Sequence, residues 1–178
     1  MRDRRFVAVH RGGPLGLEEH RLLALWAAAC AESVLPLYEA AASDGRPRSA
    51  IALARAWARG ELSVGAARAA SLAAHAAARE AQAAGLGQAA VAAARAAGQA
   101  VATAHAADHS LGAALYALKA ARAAGRVEAA ERAFQDESLP EQVRALVLSA
   151  RLAREGAASP DARAGGDPHG GGPLSSDA

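Results

Sequence analysis

The chain has 178 residues, which is enough for one domain with a core of its own. Alanine, the residue with the highest helix propensity, occurs 56 times, whereas aromatic residues make up only 3% of the sequence, and this composition argues against a protein built from β-sheets. The formal net charge of +2 excludes a strong overall electrostatic attraction to nucleic acid.

The first predicted helix spans about 17–35. Apolar residues recur at steps of three and four from Leu23 to Leu37, as expected for one buried face of a helix. Pro36 interrupts this pattern, and we expect it to end or kink the helix because proline lacks a backbone donor and its ring crowds the preceding turn. Cys30 lies on the apolar face, which predicts a small core residue.

The second predicted helix spans about 47–59 and ends at Gly60, a suitable left-handed cap. Arg48, Arg55 and Arg59 follow at steps of seven and four, so they form a basic stripe on one face. Two interpretations remain open at this point. The stripe is either the solvated face of an amphipathic helix or a surface for an acidic partner, because guanidinium groups form paired hydrogen bonds with carboxylates.

Five further helices are predicted from the same periodicity and from their capping residues. Ser63 and Asp108 are suitable N-caps for the third and fifth helices. Ser138 and Glu141 have capping-box spacing before the last one. These helices span about 64–84, 88–107, 109–124, 127–134 and 139–154. The sequence therefore predicts an all-α fold, a compact bundle of about six or seven alanine-rich helices.

The composition changes at residue 156, where the chain becomes rich in glycine, proline, serine and aspartate. With a single leucine, this segment cannot bury enough apolar surface to offset the entropy of ordering it. We therefore predict an all-helical domain over residues 1–155, followed by a disordered tail over 156–178.

The fourth predicted helix carries a stripe of small and apolar residues that ends in a histidine. A mid-helix glycine such as Gly98 costs about 1 kcal/mol relative to alanine, so we expect a neighbouring helix to approach closely there. If the helix continues through Asp108, His105 and His109 lie four residues apart on one face, a spacing that can bind a metal. His75 could add a third ligand if helices three and four form an antiparallel hairpin.

A packing role for these histidines is favoured over a metal site. The segment from His105 to His109 lacks the glutamate of an HExxH motif, and no third ligand is near in sequence. Buried histidines in helical proteins more often form hydrogen bonds than bind metals. We therefore expect these histidines to bond to backbone groups or to Asp108. We predict no metal and no cofactor.

No motif in the sequence indicates catalysis. There is no P-loop, GxGxxG, CxxC, deaminase signature or nucleophile elbow, and Glu80 is the one acidic residue between Ser63 and Ala107. We therefore predict that the protein is not an enzyme. Trp57 is predicted to be a core residue or, alternatively, an interface anchor.

The sequence also predicts a soluble cytoplasmic protein. A single cysteine rules out an intramolecular disulfide, and the first residues lack the apolar region of a signal peptide. The longest stretch without Asp, Glu, Lys or Arg is Ala81–Ala94, fourteen residues, whereas a membrane span needs about 20. We expect no membrane partner and no nucleic-acid partner.

Three stretches together resemble a known family. “HRLLALWAAACAESVLPLYE” (20–39), “DGRPRSAIALARAWARGELS” (44–63) and “AARAAGQAVATAHAADHSLGAALYALKA” (93–120) are similar to immunity proteins of bacterial polymorphic toxin systems, in the all-helical, immunity-protein-five-like group. The similarity covers about 18–122. The ordered elements that carry it are Arg46-Pro-Arg48, Ala-Trp57, Ala-His75 and the His105/His109 pair.

This resemblance implies a cytoplasmic protein that binds and neutralises a cognate toxin. It offers no catalytic residues to transfer. Residues that recur across such a family are more naturally structural, because surfaces that face different toxins must differ. The residues that we consider as family motif or candidate binding residues are Arg46, Arg48, Arg55, Trp57, Arg59, His75, Arg95, His105, Asp108 and His109.

Two other functions remain as alternatives at this stage. The first is a helical scaffold or oligomerisation module, in which small residues pack between subunits. The second is a metal-binding or enzymatic helical protein built on His75, His105, Asp108 and His109. The sequence does not determine the oligomeric state.

Overall fold

The computed structural model describes the backbone of residues 3–158 and the side chains of residues 3–154. Within these residues the chain forms seven α-helices and no β-strand, which confirms the predicted all-α bundle. The helices are α1 (Leu17–Glu39), α2 (Arg46–Ala58), α3 (Val64–Ala83), α4 (Gln88–Ala102), α5 (His109–Ala123), α6 (Glu128–Glu137) and α7 (Glu141–Ala158).

Helix α4 lies at the centre of the bundle, in contact with α1, α2, α3 and α5. Eleven of its residues are buried, and eight of these are alanine. A helix that is covered on several sides has little room for bulky side chains at the density of a protein interior. The alanine content of this segment is therefore a consequence of its position in the core.

Helix α1 supplies larger core side chains and contacts α2, α4, α5, α6 and α7. Leu23, Trp26 and Cys30 are fully or almost fully buried, which confirms the predicted apolar face. By length and composition alone α1 could cross a membrane, but 56% of its most apolar window is buried inside the protein. Burial among other helices is the ordinary situation of a core helix.

Several helix ends differ from those predicted, and two of them, at the ends of α1 and α4, have a clear cause in the backbone hydrogen bonds. Helix α1 does not end at Leu35; Pro36 lies in its last turn, and the Pro36 carbonyl still accepts from the N–H of Ala40 at 3.0 Å. Helix α4 ends at Ala102, five residues early, because the following N–H groups bond three residues back in tight turns. The predicted helix through residue 107 is therefore wrong.

The predicted capping residues have three different outcomes. Ser63 caps α3 as predicted, its Oγ accepting from the N–H of Ala66 at 3.1 Å. Ser138 forms no capping box: it ends α6, and its hydroxyl donates to the Gln135 carbonyl at 3.2 Å. Asp108 occupies the N-cap position of α5 without a side-chain cap bond, because its backbone is already helical, with φ −67° and ψ −12°.

A buried amide that the sequence analysis missed joins four helices. The Nε2 of Gln135 donates to the Ala114 carbonyl at 3.1 Å and to Glu131 Oε1 at 2.9 Å. Its Oε1 accepts from Arg151 at 2.8 Å, and its backbone carbonyl accepts from the indole of Trp26 at 2.9 Å. This network attaches α6 and α7 to α1 and α5 by polar contacts.

The N-terminal segment packs against the bundle, which was not predicted. It forms two short 3₁₀ turns, Arg4–Phe6 and Val9–Arg11, and buries Phe6 and Leu15. The predicted disordered tail begins at residue 156, whereas α7 extends to Ala158; residues 159–178 lie outside the described part of the chain.

Candidate functional site

The predicted close approach of α3 and α4 occurs where His75 meets Gly98. A Cβ atom at Gly98 would lie 2.8 Å from His75 Cε1 and 2.9 Å from its Nε2, which is closer than carbon atoms normally pack. One turn earlier on α3, the hydroxyl of Ser71 donates to the Gly98 carbonyl at 3.0 Å. The missing side chain at position 98 therefore makes room for the imidazole ring.

His109 belongs to a second contact, between α4 and α5. Its Nδ1 lies 2.7 Å from Oε1 of Gln99. The side-chain amide of Gln99 in turn fills the space above Gly112, where a Cβ would lie 2.5 Å from the same Oε1. An amide oxygen only accepts, so Nδ1 of His109 is the donor in this contact.

His105 and His109 remain neighbours although no continuous helix joins them. Their ring centroids are 4.9 Å apart, with the planes inclined at 52°. His105 lies in the turn between α4 and α5, and its backbone carbonyl accepts from Nη1 of Arg11 at 3.1 Å. Asp108 lies in the same turn, directly before the first residue of α5.

The three histidines of the motif lie in one region but do not form a metal centre. Burial lowers the pKa of His75 below its ordinary value, and the positive charge of Arg79 and the nearby His109 lower it further. Within the described part of the chain, no group of three or more His, Cys, Asp or Glu side chains could hold a metal ion. The arrangement therefore supports packing and hydrogen bonding between α3, α4 and α5.

A fourth histidine, which the sequence analysis missed, closes the end of α4. Nε2 of the buried His20 donates to the Thr103 carbonyl at 2.6 Å, and its ring packs 4.8 Å from that of Trp57. Burial lowers the pKa of His20, which favours the neutral ring. The signal was present, because His20 lies three residues before Leu23 on the apolar face of α1.

A cleft of about 870 Å³ opens beside this histidine. Its walls come from the N-terminal segment, the starts of α1 and α3, Trp57 near the end of α2, and the turn 104–107. Much of the lining is apolar, and Leu17 and Val64 remain about half exposed. The polar residues that line the cleft are all basic or histidine: His10, Arg11, His20, Arg68 and His105.

The predicted basic stripe of α2 is neutralised within the chain. Each of its arginines forms an ion pair with a glutamate: Arg48 with Glu39 at 2.6 Å, Arg55 with Glu32 at 2.6 Å and Arg59 with Glu61 at 2.7 Å. The hydrogen bond from Arg55 lowers the pKa of the Glu32 carboxyl. Two of these glutamates belong to α1, so the stripe fastens α2 to α1.

Arg46 joins three parts of the bundle. Its Nε donates to Oδ2 of Asp44 at 2.8 Å, and its guanidinium also pairs with Glu80 on α3. The hydroxyl of Tyr38, at the end of α1, donates to the same Asp44 carboxylate at 3.2 Å. The guanidinium lowers the pKa of Asp44, so this carboxylate is ionised at neutral pH.

The remaining two candidate residues also make contacts within the chain. Arg95 donates from Nη2 to Oε1 of Gln82 at 2.9 Å and lies 5.9 Å from the ring centroid of Tyr116. Trp57 is 8% exposed, so it is mainly a core residue with one edge toward the cleft. The candidate residues thus hold helices together, and the cleft is the surface that the sequence did not predict.

Comparison with known proteins identifies a family for this chain. A family model described as “Imm-5 like putative immunity protein” matches residues 13–142, well over half of the chain. This range contains α1 to α6 and the His75, His105 and His109 region, and it begins just after the N-terminal wall of the cleft. No curated protein and no solved structure matches.

Proposed function

The chain belongs to the Imm-5 like putative immunity protein family, and we propose that it binds a cognate toxin domain and neutralises it by occlusion. The observation that carries this proposal is the extent of the match, which runs through six of the seven helices. The partner would be a bacterial toxin of a polymorphic toxin system, and the place of action would be the cytoplasm.

The contacts of the motif residues support a binding function without catalysis. His75 packs on Gly98, His109 bonds Gln99, and Arg48 pairs with Glu39. Side chains that are engaged in this way maintain a scaffold common to a family. A scaffold of this kind leaves toxin recognition to residues that vary from one chain to the next.

The direct test is co-expression with the toxin domain encoded beside this chain's own gene. An inducible toxin domain should stop bacterial growth, and full-length chain from a second plasmid should restore it. A toxin domain from an unrelated system serves as the control, because occlusion of a specific surface should not protect against it. Purified chain and a catalytically inactive toxin domain should elute together as a stoichiometric complex.

Three results would overturn the proposal. Failure to rescue growth, together with no complex between the purified proteins, would remove the immunity function. Rescue without a complex would exclude occlusion. If the chain alone forms a stable oligomer that does not bind the toxin domain, the alternative function of a helical scaffold is favoured.

A further inference from the structure

The cleft beside His20 holds two arginines that no carboxylate in the described part of the chain neutralises. No carboxylate is among the residues that line it, whereas Arg11 and Arg68 both are. Arg68 is exposed and forms no ion pair with any residue in the described part of the chain. Arg11 donates from Nη1 to the backbone carbonyl of His105 and forms no ion pair with a carboxylate among residues 3–154.

The arginines of the cleft differ from those of α2, which are paired with glutamates. Arg48 and Arg55 each have a glutamate of α1 at 2.6 Å, so their charges are matched within the chain. Guanidinium groups that line a cleft without a matching carboxylate favour an anionic partner. Complementary charges on two proteins raise their association rate and determine how the two surfaces align. The apolar rim of Leu17 and Val64 adds surface that an aliphatic side chain of the partner would cover.

The cleft is also the place where the family scaffold meets a segment that the family model does not match. His20, Trp57 and Arg68 lie inside residues 13–142, whereas His10 and Arg11 lie outside. The cleft is therefore built partly from the matched range and partly from the N-terminal segment that precedes it.

We propose that this cleft binds an acidic segment of the cognate toxin, which places Asp or Glu carboxylates on Arg11 and Arg68 and an apolar side chain against Leu17 and Val64. The proposal rests on the proposed immunity function. A protein segment is favoured over nucleic acid because the cleft offers few cations, and Phe6 and Trp57, its two large aromatic rings, are both buried and unable to stack on bases.

The test measures affinity between the full-length chain and the inactive toxin domain. Arg68→Gln should weaken binding by about tenfold, the value of one charge-assisted hydrogen bond. Arg79→Gln is the matched control, because Arg79 is an exposed arginine on the same helix that does not line the cleft. Arg68→Gln should fold normally, since Arg68 forms no hydrogen bond or ion pair within the described part of the chain. Binding by the wild-type chain should weaken with salt more steeply than binding by Arg68→Gln.

A charge exchange gives a second, independent readout. Arg68→Glu should abolish rescue of growth, and a lysine in place of one toxin carboxylate should restore it. If Arg68→Gln and Arg11→Gln bind the toxin domain like the wild type, the docking site is elsewhere while the immunity function stands. If the wild-type chain itself neither binds nor rescues, the proposed function fails. If the chain binds a 20-nucleotide single-stranded DNA and Arg68→Gln abolishes this binding, the ligand of the cleft is nucleic acid and the proposed acidic protein segment is wrong.

Discussion

The imidazole of His75 occupies the space that a side chain at Gly98 would fill, with ring atoms 2.8 to 3.0 Å from an ideal Cβ position. This relationship fixes the separation of α3 and α4 at the middle of the bundle. It also assigns the histidine a packing role, because the ring lies against backbone and no group of three metal-ligating side chains surrounds it among the described residues.

We expect Gly98→Ala to destabilise the protein by about 1–2 kcal/mol, because overpacking outweighs the gain of about 1 kcal/mol in helix propensity. Urea unfolding followed by circular dichroism measures the change. Gly65→Ala on α3 is the control, since a Cβ there meets its nearest atom at 3.8 Å and should fit without strain. Gly98→Ala combined with His75→Ala should recover part of the loss. Equal stability of Gly98→Ala and Gly65→Ala would contradict this account.

The contact between Gln99 and His109 predicts a specific tautomer. Since Oε1 of Gln99 accepts at 2.7 Å, neutral His109 should carry its proton on Nδ1, the less common site. Nitrogen-15 chemical shifts of the imidazole ring report the protonated nitrogen directly. In Gln99→Leu the preference should disappear, and unfolding should require about 1–2 kcal/mol less. A proton found on Nε2 in the wild-type protein would show that the contact has a different donor.

Stability should fall as the pH is lowered below about 6.5. Burial lowers the folded-state pKa of His20 and His75, so the unfolded chain binds protons more readily than the folded chain. The loss should begin near the unfolded histidine pKa and level off below the folded one. Carboxylates such as Asp44 have lowered pKa values, so their stabilisation is lost only at a more acidic pH, below about 4.

Unfolding free energies measured between pH 7.5 and 5 test this dependence. The double variant His20→Gln/His75→Gln should show a flatter profile over that interval than the wild-type chain. The same slope in both proteins would mean that other groups control the acid sensitivity.

The buried Gln135 should be essential for the docking of α6 and α7. Gln135→Leu removes one hydrogen bond each from Glu131 and Arg151, which keep Ser33 and Asp136 as partners, and we expect the loss to cost about 1–3 kcal/mol in total. Gln82→Leu, at an exposed glutamine that bonds Arg95, should cost less than about 0.5 kcal/mol. Thermal unfolding measures both changes. Similar midpoints for the two variants would show that the amide network is unimportant.

The ion pairs of α2 should differ in their contribution to stability. Arg46 bridges Asp44 and Glu80 and so joins α2 to α3, whereas Arg48 bonds a single glutamate, Glu39. We therefore expect Arg46→Gln to lower the urea midpoint more than Arg48→Gln, with a difference that shrinks at high salt. Neither variant should impair rescue from the toxin. If Arg48→Gln folds stably but no longer rescues growth, the arginine stripe of α2 binds the toxin.

The candidate site shows where sequence reasoning reaches its limit. Gly98 and His75 could be related in advance, because a mid-helix glycine predicts a close neighbour and the chain folds back after helix three. The end of α4 could not be placed, because the alanines at 104, 106 and 107 have high helix propensity and the turn is held by contacts from elsewhere. Nε2 of His20 bonds the Thr103 carbonyl, and Arg11 bonds that of His105.

By itself the sequence determined the helices, the cap at Ser63, the apolar face of α1 and the family that the motif residues indicate. These features depend on propensities and periodicities within one or two turns, so they can be recognised locally. Only the tertiary structure decided that Glu32 and Glu39 neutralise the stripe of α2, and that the N-terminal segment and the turn after α4 enclose a basic cleft. Charge pairing depends on which helix faces share an interface, and that is set by the packing of the whole bundle.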